Sequence, residues 1–160
     1  PVVFYEPKRR YHERGQVELG SAAAYELHQA VVRAEGTDVT LLTYGPMVKV
    51  CMAAAQAAEL DDGPSIEVVD LRSLSPLDVE TITASVIKTG HAIVVSEAQT
   101  FVGVSAELAA LVQQECFVHL EAPVLRVGGY NIPYPPSRHE EVFLPDLDRI
   151  LHAVDSVLDY

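Results

Sequence analysis

The chain has 160 residues and a mass of 17.4 kDa, room for one domain-sized core with a short appended segment but not for two full domains. Hydrophobic residues make up 49% and charged residues 21%, which excludes a disordered or fibrous chain, and no apolar run approaches the roughly 18 residues that a membrane helix needs. With 23 acidic against 11 basic residues the net charge is −12, which disfavours nucleic acid as a partner.

The imbalance is uneven. The first 14 residues carry four cations, Lys8, Arg9, Arg10 and Arg14, against Glu6 and Glu13, net +2, so the remaining body stands at −14 and suits a basic protein partner. The opening PVVFYEPKRR lacks the basic-then-apolar order of a signal peptide, and a cytoplasmic location is expected. VVFY (2–5) reads as a strand ended by Pro7, and the basic, irregular stretch after it runs to Gly20. SAAAYELHQAVVRAEG (21–36) has helical propensity, although the β-branched pair Val31 and Val32 permits an extended end. We assign residues 1–38 to the tail of an upstream unit plus a linker, and 39–160 to one domain.

From residue 39, four short apolar runs alternate with helical stretches: VTLLTY (39–44), IEVVD (66–70), AIVVS (92–96) and VLRV (124–127). Each run is nearly continuous, as in strands of a parallel sheet covered on both faces. Met47, Val50, Cys51 and Ala54 recur at helical spacing after the first run, and Val104, Leu108, Leu111 and Val112 after the third. Between them, Pro76 to Lys88 opens with Pro-Leu-Asp and stops before Gly90. GGYNIPYPPSRHEE (128–141), with four prolines, reads as an ordered surface loop. The last helix carries the stripe Leu147, Ile150, Leu151, Val154 and Leu158 behind a Pro145-Asp146 start. The expected fold is α/β, a mostly parallel sheet flanked by helices.

Catalytic signatures are absent from the sequence. No GxGxxG or Walker loop offers a phosphate cradle, and Gly103-Val104-Ser105 does not continue into a nucleophile elbow, so Ser105 is read as helix packing. His12, His28, His91, His119, His139 and His152 are dispersed, and His139-Glu140-Glu141 reads as a solvated corner. Cys51 and Cys116, 65 positions apart, read as buried thiols. Glu97 sits at the carboxyl end of a strand, where α/β sheets face ligands, with an interface or cap role as the alternative. Asp70 and Arg72 either bind a charged ligand or tether a loop. No catalytic, cofactor-binding or metal residue is assigned.

Several strings, in order, carry a resemblance: DVTLLTYGPMV, VVDLRSLSPLD, VVSEA, AELAALVQQE, APVLRVGG and IPYPPSRHEEVFLPDLDRIL. Together they resemble the carboxyl-terminal domain of the beta subunit of thiamine-diphosphate-dependent 2-oxoacid dehydrogenases, of pyruvate or branched-chain type. VVFYEPKRRY resembles the end of the preceding pyrimidine-binding domain, and its EPKRRY wording mildly favours a branched-chain substrate. Where many members have His-Glu-Ala, this chain has Ser96-Glu97-Ala98, and Asn131 replaces the usual Asp.

The resemblance implies the transketolase carboxyl-terminal fold and an oxidoreductase whose thiamine diphosphate and magnesium are held by other parts of the enzyme, this chain binding none and being inactive alone. It implies three partners: an alpha subunit, a second beta subunit, and the subunit-binding domain of the acyltransferase core. The two-fold beta interface would involve Glu97, Gly103, Val104, Ser105 and Ala106; the acyltransferase would dock at Tyr160 with its carboxylate, aided by Glu121. The alternative is a self-contained protein-binding module on the same fold, with no thiamine-linked role. A third candidate, a flavodoxin-like nucleotide binder, is weakened by the missing phosphate loop.

Overall fold

Three apolar pentapeptides or octapeptides supply the middle of the sheet because alternate side chains are buried on both faces. β2 (Val39–Thr43) and β3 (Ile66–Asp70) are buried at every position, and so is β4 (Ala92–Gln99) over its first five residues. The structure, a computed structural model, describes residues 1–15 and 26–160, with the side chain of Arg9 excepted. The helical expectation over 21–25 lies outside the described residues.

Among the described residues the sheet has five strands in the order β1-β3-β2-β4-β5, with β1 (Val31–Ala34) and β5 (Leu125–Gly129) at its edges. β2, β3, β4 and β5 are parallel, and β1 runs antiparallel to β3. On one face lie α1 (Met47–Leu60) and α5 (Leu147–Leu158), closed by Leu41, Val68, Ile93, Val95, Ile150 and Val154. On the other lie α2 (Val79–Thr89) and α3 (Val104–Cys116), closed by Leu42, Val69, Val94, Ile82, Leu108 and Val112. Both cysteines are buried free thiols, and burial pushes Cys51 up to about 12.

Several elements differ from the expected ones. α2 begins at Val79 and not at Pro76, because Asp78 caps it, and the expected loop 128–141 opens inside β5 and ends in a short helix, Glu140–Phe143. VVFY (2–5) is not a strand: Val2, Val3, Phe4 and Tyr5 are exposed and meet no strand edge among the described residues, and a strand without a hydrogen-bonded neighbour has nothing to hold it extended. The extended alternative at Val31 and Val32 is realised as β1, so an edge strand comes from residues assigned to the linker. Its single antiparallel neighbour and partial burial, with only Val31 fully covered, suit an edge position. β4 also runs three residues beyond the apolar run 92–96, and pairing resumes at Gln99 with Gly129 after an irregularity.

Helix ends obey local chemistry. Asp78 caps α2, accepting from the Thr81 N–H at 3.1 Å and its hydroxyl at 2.8 Å, and reaches β1 through the Ala30 N–H at 2.9 Å. Burial pulls its carboxyl upward, but these donors outweigh burial and hold it below the usual carboxylate range. A depressed folded pKa gives stability that is present above the unfolded value and lost as pH falls through the folded one. Asp78→Ala is therefore expected to cost about 1–2 kcal/mol at neutral pH. In urea melts the difference from the parent chain should shrink once the pH drops below about 4; an unchanged gap at acid pH would assign the loss to something other than the carboxylate.

Candidate functional site

At the carboxyl edge, the end of β4 turns through Thr100 to Gly103 into α3. The turn is held by Asn131, whose Oδ1 accepts from the Phe101 N–H at 3.0 Å, and by Arg126, which donates to the Thr100 carbonyl at 2.7 Å. The Gln99 side-chain amide donates to the Ile132 carbonyl. Asn131 thus supplies a side-chain acceptor to the turn. Val102 has φ +53°, the left-handed region that disfavours a β-branched side chain, so this loop conformation is imposed by its tethers. The outcome is an apolar tip, Phe101 at 74% and Val102 at 83% exposure.

Beside the tip stands an aromatic group from the proline-rich loop and α4 (Glu140–Phe143). Phe143 is buried and meets Tyr134 edge to face at 5.0 Å, while the Arg149 guanidinium lies 4.6 Å from the Tyr130 ring centroid. A pocket of about 300 Å³ opens here, lined by Glu97, Gln99, Phe101, Gly103, Tyr134 and Phe143. The structure therefore brings Glu97 and Gly103 together. Val104 and Ala106 are half-buried beside them, and Ser105 is 1% exposed, in keeping with its reading as helix packing.

At the amino edge, the Glu121 N–H donates to the Gly90 carbonyl at 2.9 Å, which sets Glu121 against the end of α2. Gly90 takes φ +72° to end that helix, and a Cβ there would meet the Glu121 side chain at 3.2 Å. A groove of about 620 Å³ is lined by Asp38, Ile87, His91, Val118, Glu121 and Leu158, among others. Leu158 is two residues from Tyr160, so Glu121 and the chain end share this region; Tyr160 is 82% exposed. The sequence reading missed Phe117 and Val118, exposed at 67% and 83% in the turn that follows α3. Their signal was available: CFVHL continues past the last core residue of α3, Cys116, with large apolar side chains and no further face to bury them.

The pair Asp70 and Arg72 resolves into tethers. Arg33 donates to Asp70 Oδ2 at 2.9 Å, linking β1 to β3, and the Arg72 side chain donates to the carbonyls of Glu26 and Gln29 at 3.1 and 2.9 Å. His139 lies beside Arg138, and Glu140 accepts from the Tyr134 hydroxyl. Among the described residues no group of His, Cys, Asp and Glu is arranged to surround an ion, and no helix is long and apolar enough to cross a membrane.

Comparison with known proteins places these edges in a family. Residues 28–150 match the family model described as the transketolase, C-terminal domain. The chain is 49% identical over 158 residues to the 3-methyl-2-oxobutanoate dehydrogenase subunit beta of Mycobacterium tuberculosis, covering 99% of the chain and 45% of that protein. It is 44% identical over 160 residues to the pyruvate dehydrogenase E1 component subunit beta of Bacillus subtilis, covering 100% and 49%. Among solved structures, a split-gene transketolase, described as an inactive beta4 tetramer, superposes with a TM-score of 0.72 at 26% identity, covering 84% of this chain and 43% of that one. The chain thus spans about half the length of the curated relatives it matches. With the match running from just before β1 into α5 over a mostly parallel sheet, the chain belongs to the transketolase carboxyl-terminal domain family.

Proposed function

We infer that this chain is the assembling and docking part of a 2-oxoacid dehydrogenase beta subunit, with a branched-chain 2-oxoacid favoured over pyruvate. The observation that carries the reading is the near full-length match of the chain to beta subunits named for both substrates. The two exposed apolar regions support it, because single-molecule surfaces rarely keep Phe101, Val102, Phe117 and Val118 in water without a use. In this reading the carboxyl edge meets a second beta subunit, an alpha subunit completes the enzyme, and residues 1–15 continue from a preceding pyrimidine-binding domain.

The residues here do not fit a magnesium diphosphate. At the start of α1 the Val48 N–H is already bonded to the Gly45 carbonyl, and the start of α2 is already filled by the Asp78 carboxylate. In α3 the Ala106 N–H is bonded to the Gly103 carbonyl. No reaction step is therefore assigned to this chain, and thiamine diphosphate and magnesium belong to the rest of the enzyme.

The amino edge is assigned to the subunit-binding domain of the acyltransferase. A body at −14 attracts a cationic domain over distance, while Val118 and Leu158, the latter two residues from Tyr160, offer apolar contact next to Glu121. Calorimetry with that isolated domain is expected to show affinity falling about tenfold or more between low and physiological salt. Deleting Leu158 to Tyr160, or making Glu121→Gln, should weaken it further. Affinity unaffected by the deletion removes the chain end from the site, and binding indifferent to salt removes the electrostatic argument.

A further inference from the structure

The amino edge carries a histidine whose ring is oriented by the backbone around it. His91 stands between Gly90, which ends α2, and Ala92, which opens β4. Its Nδ1 lies 2.9 Å from the Asp38 carbonyl oxygen and 3.2 Å from the Thr89 carbonyl oxygen. A carbonyl oxygen only accepts, so Nδ1 carries the proton and the neutral ring is held as the Nδ1–H tautomer. The backbone of the residue is fixed as well: the His91 carbonyl accepts from the Thr40 N–H at 2.9 Å and from the Thr89 hydroxyl at 3.0 Å.

This tether leaves Nε2 over. In the neutral ring it is a lone-pair acceptor, and among the described residues no group donates to it. His91 is half-buried and lines the groove of about 620 Å³ at the amino edge. The other charged or titratable groups of that groove are Asp38 before β2, Lys88 of α2, His119 after α3 and Glu121 before β5, while α5 ends there with Leu158, ahead of Asp159 and Tyr160. Two of these are already engaged. The Asp38 carboxylate accepts from the Ser65 N–H at 2.7 Å and the Thr37 hydroxyl at 3.0 Å, and the Lys88 ammonium donates to Glu35 and Glu67. Glu121 lies close to the ring along the chain, its side chain being 3.2 Å from where a Cβ on Gly90 would stand. A fixed nitrogen acceptor and a carboxylate side by side match a group that brings both an N–H and a positive charge.

We propose that His91 Nε2 is an acceptor of the docking site, receiving an N–H from a lysine or arginine of the basic partner while Glu121 meets its charge. The proposal rests on the docking reading above and extends it in two ways, naming an acceptor and making the contact sensitive to protons. Protonation turns Nε2 from an acceptor into a donor and sets a positive charge against a cation, so docking weakens on acidification through the range of about pH 8 to 5 in which imidazole takes up a proton.

The test is calorimetry with the isolated subunit-binding domain at fixed salt, on the parent chain, His91→Asn and His91→Gln. Asparagine carries an amide N–H near the place of Nδ1 and keeps the tether without Nε2, whereas glutamine reaches the place of Nε2 with an amide that does not titrate. At about pH 7.5, His91→Asn is expected to bind about tenfold more weakly than the parent, and His91→Gln within about threefold of it. Between about pH 7.5 and 5.5 the parent should lose about tenfold more affinity than either variant. His119→Asn, a control in the same groove, should keep the parent profile. Nitrogen NMR of the free chain, which needs no partner, is expected to show the neutral His91 ring protonated at Nδ1. Parent and His91→Asn binding alike, parallel pH profiles of the parent and His91→Gln, or a neutral ring protonated at Nε2 would each overturn the role of His91 and leave docking standing. A parent chain that binds the domain at no pH overturns the docking reading and this proposal together.

Discussion

Lys88→Met is expected to destabilise the chain by about 2–3 kcal/mol, below the range of about 3–5 for breaking a fully enclosed ion pair because Lys88 itself reaches solvent. The reason lies in Glu67, a carboxylate at the second position of β3 with 1% exposure. It accepts from the Ser85 hydroxyl, from the Lys88 ammonium and from the Gly36 N–H at 3.3 Å. Ser85 also meets Thr40, which meets Thr89 at 2.8 Å, and Lys88 reaches Glu35 at 2.9 Å. Removing the ammonium leaves a buried charge without its counter-ion. The double variant Glu67→Leu with Lys88→Met should recover much of the loss, since an apolar pair of similar volume needs no desolvated charge. Burial pulls the Lys88 ammonium down, yet its two carboxylate partners prevail and raise it above the usual lysine value of 10.5. A raised folded pKa gives stability that is complete below the unfolded value and lost as pH rises through the folded one. The cost of Lys88→Met should therefore persist at neutral pH and shrink above about pH 10.5 in denaturant titrations. A loss of less than about half a kcal/mol, typical of an exposed pair, would show that Glu67 is satisfied without Lys88.

That network was legible only in part from the sequence. IEVVD was read as a buried strand, which placed Glu67 between two covered faces, and a carboxylate there must find donors. Ser85 and Lys88, three apart on α2, present one face, but which strand that face meets is a matter of sheet order, and β3 lies beside β2 only after a crossover. The helices α1, α3 and α5 were readable from periodicity and start signals because each buries one stripe against the sheet. β1 is legible only as the extended alternative at Val31 and Val32, since it has one antiparallel neighbour and a mixed burial pattern, and its extension depends on a partner distant in sequence. VVFY failed for the converse reason, having strand composition and no edge to join. Glu97 was found from its strand position, whereas Phe101, Tyr134 and Phe143 around it come together through the proline-rich loop, whose path no periodicity encodes.

The carboxyl edge also rests on close backbone approach, and Gly129→Ala is expected to cost about 2–3 kcal/mol. A Cβ at Gly129 would lie 2.5 Å from Phe143 Cε1 and 2.8 Å from the Glu97 carbonyl oxygen. Neither can give way easily. Phe143 is 3% exposed and set edge to face against Tyr134, and the Glu97 carbonyl belongs to β4 just before its pairing with Gly129 resumes at Gln99. Relief requires β5 to move away from β4, which loosens the loop that Asn131 and Arg126 hold and with it the exposed tip of Phe101 and Val102. If that tip meets a second copy of the beta subunit, the substitution should act twice: a melting midpoint lower by about 5–10 °C, and sedimentation showing weaker self-association at temperatures where the variant remains folded. The double variant Phe101→Ser with Val102→Gly separates the two effects, because it removes the apolar tip without forcing the strands apart, and glycine accepts the positive φ at position 102. It should leave the midpoint within about 1 °C of the parent when both are monomeric while abolishing self-association. Self-association that survives this double variant would move the subunit contact away from the carboxyl edge.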